Sequence, residues 1–255
     1  TLRVNCTVTS ISLPAVISVT SPESNGYYNA GREIDVTVQF TRNVLVTGTP
    51  KIKLNSGSSV YASYISGSDS SLLTFRYTVL SGEESQNLDY FDKNSLALEG
   101  GTIKDSLARD AALELPNPGD MKSLGYNKNI VIDTSSPAVI NVSSTYPNTY
   151  YKFGDIIPIT VDFNEVVFVT GDPQILLETG SSDTYANYVS GGGTSSLIFN
   201  YTVQNGNTSL DLDYVNSSSL IFNSGTIKDA ALNNTLLTLP AAGESHSLGF
   251  NKNIA

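Results

Sequence analysis

The amino-acid sequence predicts an all-β protein made of two tandem antiparallel β-sandwich domains. Three observations predict this fold class: the sequence repeats itself along its length, apolar residues alternate with polar ones, and the composition favours strands over helices. Of the 255 residues, 40% are hydrophobic and only 15% are charged, and Gly, Tyr, Ser, Thr and Asn are frequent. This balance is typical of β-rich extracellular domains.

The internal repeat defines the domain organisation. The segment SLPAVISVTS returns as SSPAVINVSS, so that Pro14 corresponds to Pro137, 123 positions later. One extra residue in the second copy raises the offset to 124, as Asp89 and Asp213 show within the two LDY motifs. Both copies contain the whole pattern. We therefore predict a first domain over residues 1–133, with 1–10 as a lead segment or first strand, and a second domain over 134–255.

Apolar residues recur at every second position in each copy, which is the period of a half-buried strand. The predicted inward-facing rows are Ile34, Val36, Val38, Phe40, Leu73, Phe75, Tyr77 and Val79 in the first copy, and Ile157, Ile159, Val161, Phe163, Leu197, Phe199, Tyr201 and Val203 in the second. Together with shorter apolar runs between turn residues, they predict about seven strands per copy. One short helical turn is expected at 105–112 and again at 229–236, where an aspartate can cap the first amides.

The charge of the chain narrows its range of partners. The formal net charge is −10 and the isoelectric point is about 4.4, so the chain repels phosphate backbones and anionic lipid surfaces. We therefore expect no nucleic-acid partner. Direct membrane insertion is not expected either, because the sequence lacks a run of about eighteen apolar residues.

The few cysteine and histidine residues argue against an enzyme. Cys6 is the one cysteine, so no intrachain disulfide can form, and the domains are expected to fold by core packing alone as in many exported bacterial proteins. His246 is the one histidine, which argues against a Ser-His-Asp device or the usual zinc sites. Asp211 and Asp213 share one face of an extended segment, but a duplicated structural turn explains the recurring LDY better than a glycosidase pair does.

The longest repeated motifs carry a family resemblance. They include GDIIPITVDFNE, VTGDP, SGGGTSSLIFNYTV, LDY, GTIKD and SLGFNKNI in the second copy, with close counterparts in the first. The chain resembles the immunoglobulin-like tandem repeats of large bacterial cell-surface proteins and adhesins. The resemblance implies immunoglobulin-like sandwiches that act at the cell surface as a spacer or stalk in cell adhesion. The partners it implies are neighbouring repeats of the same chain and a surface glycan or protein of another cell.

An alternative function is a glycan-binding tip domain of an adhesin. The tyrosine pairs Tyr27–Tyr28 and Tyr150–Tyr151 precede the second predicted strand in each copy, and exposed tyrosines could stack on sugar rings. The other interpretation is that they pack over the end of the sandwich. The first copy also continues through Val131, Ile132 and Asp133 beyond the point that corresponds to Ala255, so we expect more chain to follow.

The two copies depart from the family pattern in informative places. The family's D-A-A-G-N turn has Ala108 and Leu232 where the glycine is usual, which leaves the turn geometry open. The first copy has Ser10 and Arg42 where the second has Asp133 and Glu165. The first copy thus lacks both of these acids together, in the region where it begins.

The acids of the second copy suggest a calcium site at the junction of the repeats. The second predicted strand ends near Glu165, and an antiparallel first strand would place that end beside the linker residue Asp133. A loop of the first copy that carries Asp89 or Asp92 would face the same gap. Carboxylate oxygens are the ligands that Ca²⁺ prefers, so Asp89, Asp133 and Glu165 are the predicted metal ligands. The other reading is that these are ordinary solvated charges.

Overall fold

A computed structural model describes residues 12–255, which fall into two units that divide between Thr134 and Ser135. Each unit is almost entirely β, with a curled antiparallel sheet that makes it a β-sandwich-like body, so the predicted fold class is confirmed. The predicted lead segment or first strand at 1–10, which includes Cys6 and Ser10, lies outside the described residues. Within 12–255, no helix is long and apolar enough to cross a membrane.

The first unit contains a large sheet and a small one. Its elements are β1 (Val16–Thr20), β2 (Gly26–Tyr28), β3 (Glu33–Thr47), β4 (Lys51–Lys53), β5 (Tyr61–Ser66), β6 (Ser70–Thr78), β7 (Glu84–Ser85), β8 (Leu96–Ala97), β9 (Thr102–Lys104), α1 (Leu124–Asn127) and β10 (Ile130–Asp133). The large sheet has the order β1-β3-β6-β5-β4-β8, and β9 pairs with β3. The small sheet has the order β2-β10-β7, in which β10 is parallel to β2 and antiparallel to β7.

The second unit repeats the large sheet. Its elements are β11 (Val139–Ser144), β12 (Ile156–Thr170), β13 (Gln174–Leu177), β14 (Thr184–Ser190), β15 (Thr194–Thr202), β16 (Leu220–Ile221), β17 (Thr226–Lys228) and α2 (Leu248–Asn251). The order β11-β12-β15-β14-β13-β16, with β17 on β12, matches that of the first unit strand for strand. Among the described residues the second unit thus has seven strands, as expected, and the first has three more.

One long strand in each unit curls the sheet. The first part of β12, up to Asp162, pairs with β15, and its last part, Phe168 to Thr170, pairs with β17. The register is irregular between Asp162 and Val167, and such a bulge bends a strand. The sequence-based expectation that this strand ends near Glu165 is therefore wrong. The strand bends there and continues, and Glu165 lies in the bend.

The alternating rows face the core as predicted. All of the first-unit rows are buried, and so are those of the second unit except Val203, which is partly buried. Burial of one such apolar side chain stabilises a fold by about 1.5–3 kcal/mol. The period-two pattern is thus the main source of the packing energy in each unit.

The short helical turns lie at different places from those predicted. Residues 105–112 and 229–236 form turns, because Ala108 and Leu232 adopt left-handed backbone conformations with φ of 60° and 71°. The helices α1 and α2 instead follow Ser123 and Ser247, whose Oγ atoms accept the Tyr126 and Phe250 amides at 3.2 Å. Serine is a preferred cap at that position.

The chain enters and leaves the first unit at opposite ends of its sandwich. At one end, the Thr41 amide donates to the carbonyl of Ala15, just before β1. At the other end, Asp133 pairs with Glu84, and the Gly82 amide donates to Thr134 Oγ1. Residues 33–41 of β3 run between these two ends, a length of about 26 Å.

The second unit has the same arrangement. The Asn164 amide donates to the Ala138 carbonyl where the chain enters. The Tyr151 amide donates to the Ala255 carbonyl beyond the opposite end of the same part of β12. Each unit therefore carries the chain from one end of its sandwich to the other.

Candidate functional site

A buried aspartate follows β17 in the second unit. Asp229 is only 2% exposed, and its Oδ1 accepts the backbone amide of Asn233 at 2.8 Å. Its Oδ2 accepts the Asn233 side-chain amide, also at 2.8 Å. Both of these bonds come from neutral amide donors.

Glu165 brings a second carboxylate to this turn. Glu165 and Asp229 each offer a carboxylate oxygen, and these oxygens lie within 4.8 Å of one another. The bend of β12 holds Glu165 there, because the neighbouring Asn164 is tied to Ala138 through its backbone and through its side-chain oxygen at 2.7 Å. Two acids 64 positions apart in sequence are thus paired by the curl of the sheet. Carboxylate oxygens at this spacing suit a shared Ca²⁺ ion.

The sequence predicted Glu165 as a ligand but missed Asp229. The signal was present, since Asp229 opens the segment 229–236, in which an aspartate was expected to cap the first amides. Asp133, the predicted linker ligand, is the last residue of β10 in the first unit. The role of Asp133 as a metal ligand together with Glu165 stays a prediction.

Asp89, the remaining predicted ligand, forms a structural clip within the first unit. It is 5% exposed, its Oδ1 accepts the Tyr90 amide at 2.9 Å and its Oδ2 accepts the Gly119 amide at 3.0 Å. Asp213 makes the same two bonds in the second unit, to the amides of Tyr214 and Gly243 at 2.8 Å each. These bonds explain why LDY recurs in both copies. The Leu88 amide donates to Ile130, so Asp89 lies near the start of β10, about 10 Å along the strand from Asp133.

The corresponding turn of the first unit is neutralised by arginine. Asp105 accepts the Arg109 guanidinium at 2.8 Å from Nε and 2.6 Å from Nη2. The hydrogen bond from Arg109 lowers the pKa of the Asp105 carboxyl below its usual range. A second arginine, Arg42, stands at the position that corresponds to Glu165. The turn thus has the same form in both units, whereas its aspartate pairs with an arginine in the first unit and with an asparagine in the second.

An aromatic loop precedes β12. Tyr150 is 87% exposed and Phe153 is 70% exposed, and the rings of Tyr146 and Tyr151 stack with centroids 6.2 Å apart. A surface hollow of about 440 Å³ is lined by Tyr146, Tyr151, Gly154, Asp155 and Ile156. The first unit has Glu23 and Ala30 where the second has Tyr146 and Phe153.

In both predicted tyrosine pairs the two residues behave differently. Tyr28 is buried and Tyr151 is partly buried, and each hydroxyl donates to a backbone carbonyl of its own loop. Tyr27 is half exposed and Tyr150 almost fully exposed. Packing over the sandwich end therefore accounts for the second tyrosine of each pair and leaves the first available for contact.

The acidic residues around the second LDY motif form an open hollow of about 320 Å³, lined by Glu178, Asp211 and Asp213 among others. Burial, together with the charge of Asp213, raises the pKa of the Asp211 carboxyl. Both oxygens of Asp213 are already held by backbone amides, which supports the structural role of this acid. His246 lies exposed in a turn with φ of 71°.

No protein-family model and no curated protein matches this chain.

Proposed function

We propose that the two units are structural and adhesive repeats of a secreted bacterial surface protein, which act as a non-catalytic spacer or stalk in cell adhesion. The observation that carries this proposal is the opposite placement of the two chain ends in each unit. A repeat of this kind adds its own length to the reach of the protein. The resemblance of the repeated motifs to bacterial surface repeats supports the same function.

The edge pairing supports a role under tension. A pull on the two chain ends loads β1 along its antiparallel ladder with β3, and β10 along its parallel ladder with β2. The hydrogen bonds lie across the strands, so a pull along the strands loads them together rather than one by one. Such a geometry suits a stalk that transmits force.

Force spectroscopy on the full chain tests this proposal. With handles at the two termini, we expect two separate unfolding events, each releasing one unit's length of chain. In the matched control, one handle moves to Ser58 in the β4–β5 hairpin, where pulling peels strands from the sheet edge, and the first unit should unfold at lower force. Equal forces in the two geometries, or a single unfolding event, would contradict the proposal.

We also propose that Ca²⁺ binds at Glu165 and Asp229, with Asp133 as the predicted third ligand. The support is the pair of carboxylates, whose oxygens lie within 4.8 Å of one another, and the burial of Asp229.

Thermal unfolding with Ca²⁺ and with chelator tests the metal site. At a Ca²⁺ concentration about one hundred times Kd, we expect a stabilisation of about 2.7 kcal/mol, seen as a rise of several degrees in Tm. Glu165→Gln should remove the response. Asp155→Asn, at the opposite end of the same unit, is the matched control and should keep it. An unchanged Tm with Ca²⁺ would contradict the site.

The aromatic loop favours glycan binding as the second candidate function. Tyr150 and Phe153 offer two exposed rings beside a hollow that contains the Asp155 carboxylate. Screening the full chain on a glycan array should then give binding that the double substitution Tyr150→Ala, Phe153→Ala removes. Tyr27→Ala in the first unit is the matched control. The absence of glycan binding would leave the spacer role as the proposed function.

A further inference from the structure

The outer face of the large sheet in the first unit has two lysines on β4. Lys51 and Lys53 are two positions apart, so both side chains lie on the same face, about 7 Å apart along the strand. The alternating residues Ile52 and Leu54 are fully buried on the opposite face. Both lysines are partly exposed. They therefore place two positive charges on the solvent side of the sheet.

Two aromatic rings lie beside these lysines. Tyr61 on β5 is the direct partner of Lys53 in the ladder, and on the other side of β4 the Phe91 amide donates to the Lys53 carbonyl at 2.9 Å. Lys53 Nζ lies 4.2 Å from the centre of the Phe91 ring, and Lys51 Nζ lies 5.9 Å from the centre of the Tyr61 ring. Tyr61 is 42% exposed and Phe91 is 58% exposed. These cation–π contacts hold the ammonium groups beside rings that stay open to solvent. We call these four residues the basic-aromatic face.

The lysines of this face are not engaged by carboxylates. Within residues 12–255, neither lysine forms a salt bridge. The neighbours of Lys51 across the ladder are Ser63 and Ala97, which are small and uncharged. The next cation in that row, Arg76, is already paired with Asp35 at 2.8 Å. The two ammonium groups are therefore accessible for an anionic ligand.

The same face of the second unit is neutral. Gln174 and Leu176 stand at the positions of the two lysines, and Val215 stands at that of the phenylalanine. The ladder is otherwise the same, since Leu176 pairs with Tyr185 and Gln174 pairs with Asn187. The Gln174 side-chain amide donates to the Asn187 side-chain oxygen at 2.7 Å. The fold thus requires neither the lysines nor the phenylalanine ring at these positions.

We infer that the basic-aromatic face of the first unit binds an acidic polysaccharide of the polyuronate class. In such a polymer each sugar ring has a carboxylate, and its C–H groups form flat apolar surfaces. The carboxylates would pair with the ammonium groups of Lys51 and Lys53, while the sugar rings would stack on Phe91 and Tyr61. A sheet face is open and flat, which suits a polymer that lies across it.

The net charge of −10 does not prevent this binding, because salt screens distant charges. At 0.1 M ionic strength the Debye length is about 10 Å, so a bound carboxylate interacts chiefly with the nearby ammonium groups. An acidic peptide would meet the same lysines but would bring no sugar rings to stack on the aromatic side chains. The two exposed rings therefore favour a polysaccharide over an acidic protein.

Binding of polygalacturonate to the full chain, measured by biolayer interferometry in chelator, tests the inference. We expect binding at low salt that weakens as salt is added. Lys51→Gln combined with Lys53→Leu installs the residues of the second unit and should lower the affinity about tenfold or more. Lys104→Gln combined with Lys122→Gln changes the net charge equally and is the matched control. This control should bind nearly as the unaltered chain does.

The contribution of the ring is tested separately. Phe91→Val, again the residue of the second unit, should weaken polygalacturonate binding about threefold. Polyglutamate, which has carboxylates but no sugar rings, should bind less tightly and should not respond to this substitution. Dextran, a neutral polysaccharide, should show no binding that depends on the lysines. Circular dichroism should show the same fold for all variants, because these side chains are outside the core.

Three results would each overturn the inference: no binding of polygalacturonate, equal losses in the lysine variant and its charge-matched control, or polyglutamate binding as tight as that of polygalacturonate. The last result would assign the face to an acidic protein instead. Because chelator is present, the outcome does not depend on the calcium proposal. The loop with Tyr150 and Phe153 belongs to the second unit, so a loss caused by the first-unit variants is distinguishable from a failure of that glycan site.

Discussion

The Asp105 turn of the first unit and the Asp229 turn of the second have the same hydrogen-bonded backbone, but the groups that pair with the aspartate differ in charge. In both, the aspartate Oδ1 accepts the amide of the residue four positions later. In the first unit that residue is Arg109, whose guanidinium pairs with the carboxylate, whereas in the second it is Asn233. The difference teaches that the fold requires the aspartate as a turn-forming acceptor and leaves the local charge free to vary. The second unit can therefore have two carboxylates, Glu165 and Asp229, at this turn.

The loops that precede β3 and β12 differ in a similar way. The first unit has Glu23 and Ala30 where the second has Tyr146 and Phe153. Both differences concern side chains on one scaffold. The following predictions test the packing of the units and the differences between them, from the largest expected effect to the smallest.

Removing the side chain of Ile132 should have the largest effect on the first unit. Ile132→Ala should destabilise the first unit by about 2–4 kcal/mol, because a fully buried aliphatic side chain is replaced by a cavity. Denaturant unfolding gives the free energy, and hydrogen exchange assigns it to the first unit. Val131→Ala, a change at a less buried site on the same strand, should cost much less. Equal costs for both variants would mean that the Ile132 site is not a packing site.

Exchanging the residue after the turn should transfer the charge pattern. Asn233→Arg should stabilise the second unit by about 1 kcal/mol in chelator, because a guanidinium can pair with Asp229 as Arg109 does with Asp105. It should also abolish any Ca²⁺ response, since the cation would be replaced. Asn233→Gln is the control that adds length without charge. A retained Ca²⁺ response in Asn233→Arg would argue that Asp229 is not a ligand.

The strained turn position offers a smaller gain. Leu232 has φ of 71° and is 65% exposed, so Leu232→Gly should relieve backbone strain while losing little burial. We expect a stabilisation of about 0.5–1 kcal/mol in thermal or denaturant unfolding. Leu232→Ala removes the same side chain but keeps the strained Cβ, and it should give no such gain. Equal gains from both variants would locate the effect in the side chain instead.

The smallest effect concerns acid stability. The pKa of Asp105 is lowered in the folded unit, so its stabilisation is complete above the unfolded pKa of about 4 and is lost as pH falls through the folded pKa. Amides of 103–111 should therefore lose protection as the pH falls below about 4. Arg109→Asn should weaken this dependence, since Arg109 is the main cause of the shift. An unaltered pH profile in that variant would contradict the assignment.

The candidate site could be predicted only in part. Glu165 was found because the predicted strand ends near it and the first copy has Arg42 at the same position. Asp229 was missed because its partner is distant in sequence, and the strand that brings them together bends where it was expected to end. Asp89 was selected for its charge. Its oxygens accept the amides of Tyr90 and Gly119, and the second of these amides belongs to a loop thirty residues away.

The sequence by itself determined the β class, the duplication and the inward rows, because alternation with period two and a repeated motif are local properties of the chain. Only the tertiary structure decided the curl of β3 and β12, the positions of α1 and α2, and the pairing of Glu165 with Asp229. The physical reason is that bulges, caps and left-handed turns depend on small local energies that long-range packing can outweigh. Where the chain bends, residues remote in sequence become neighbours.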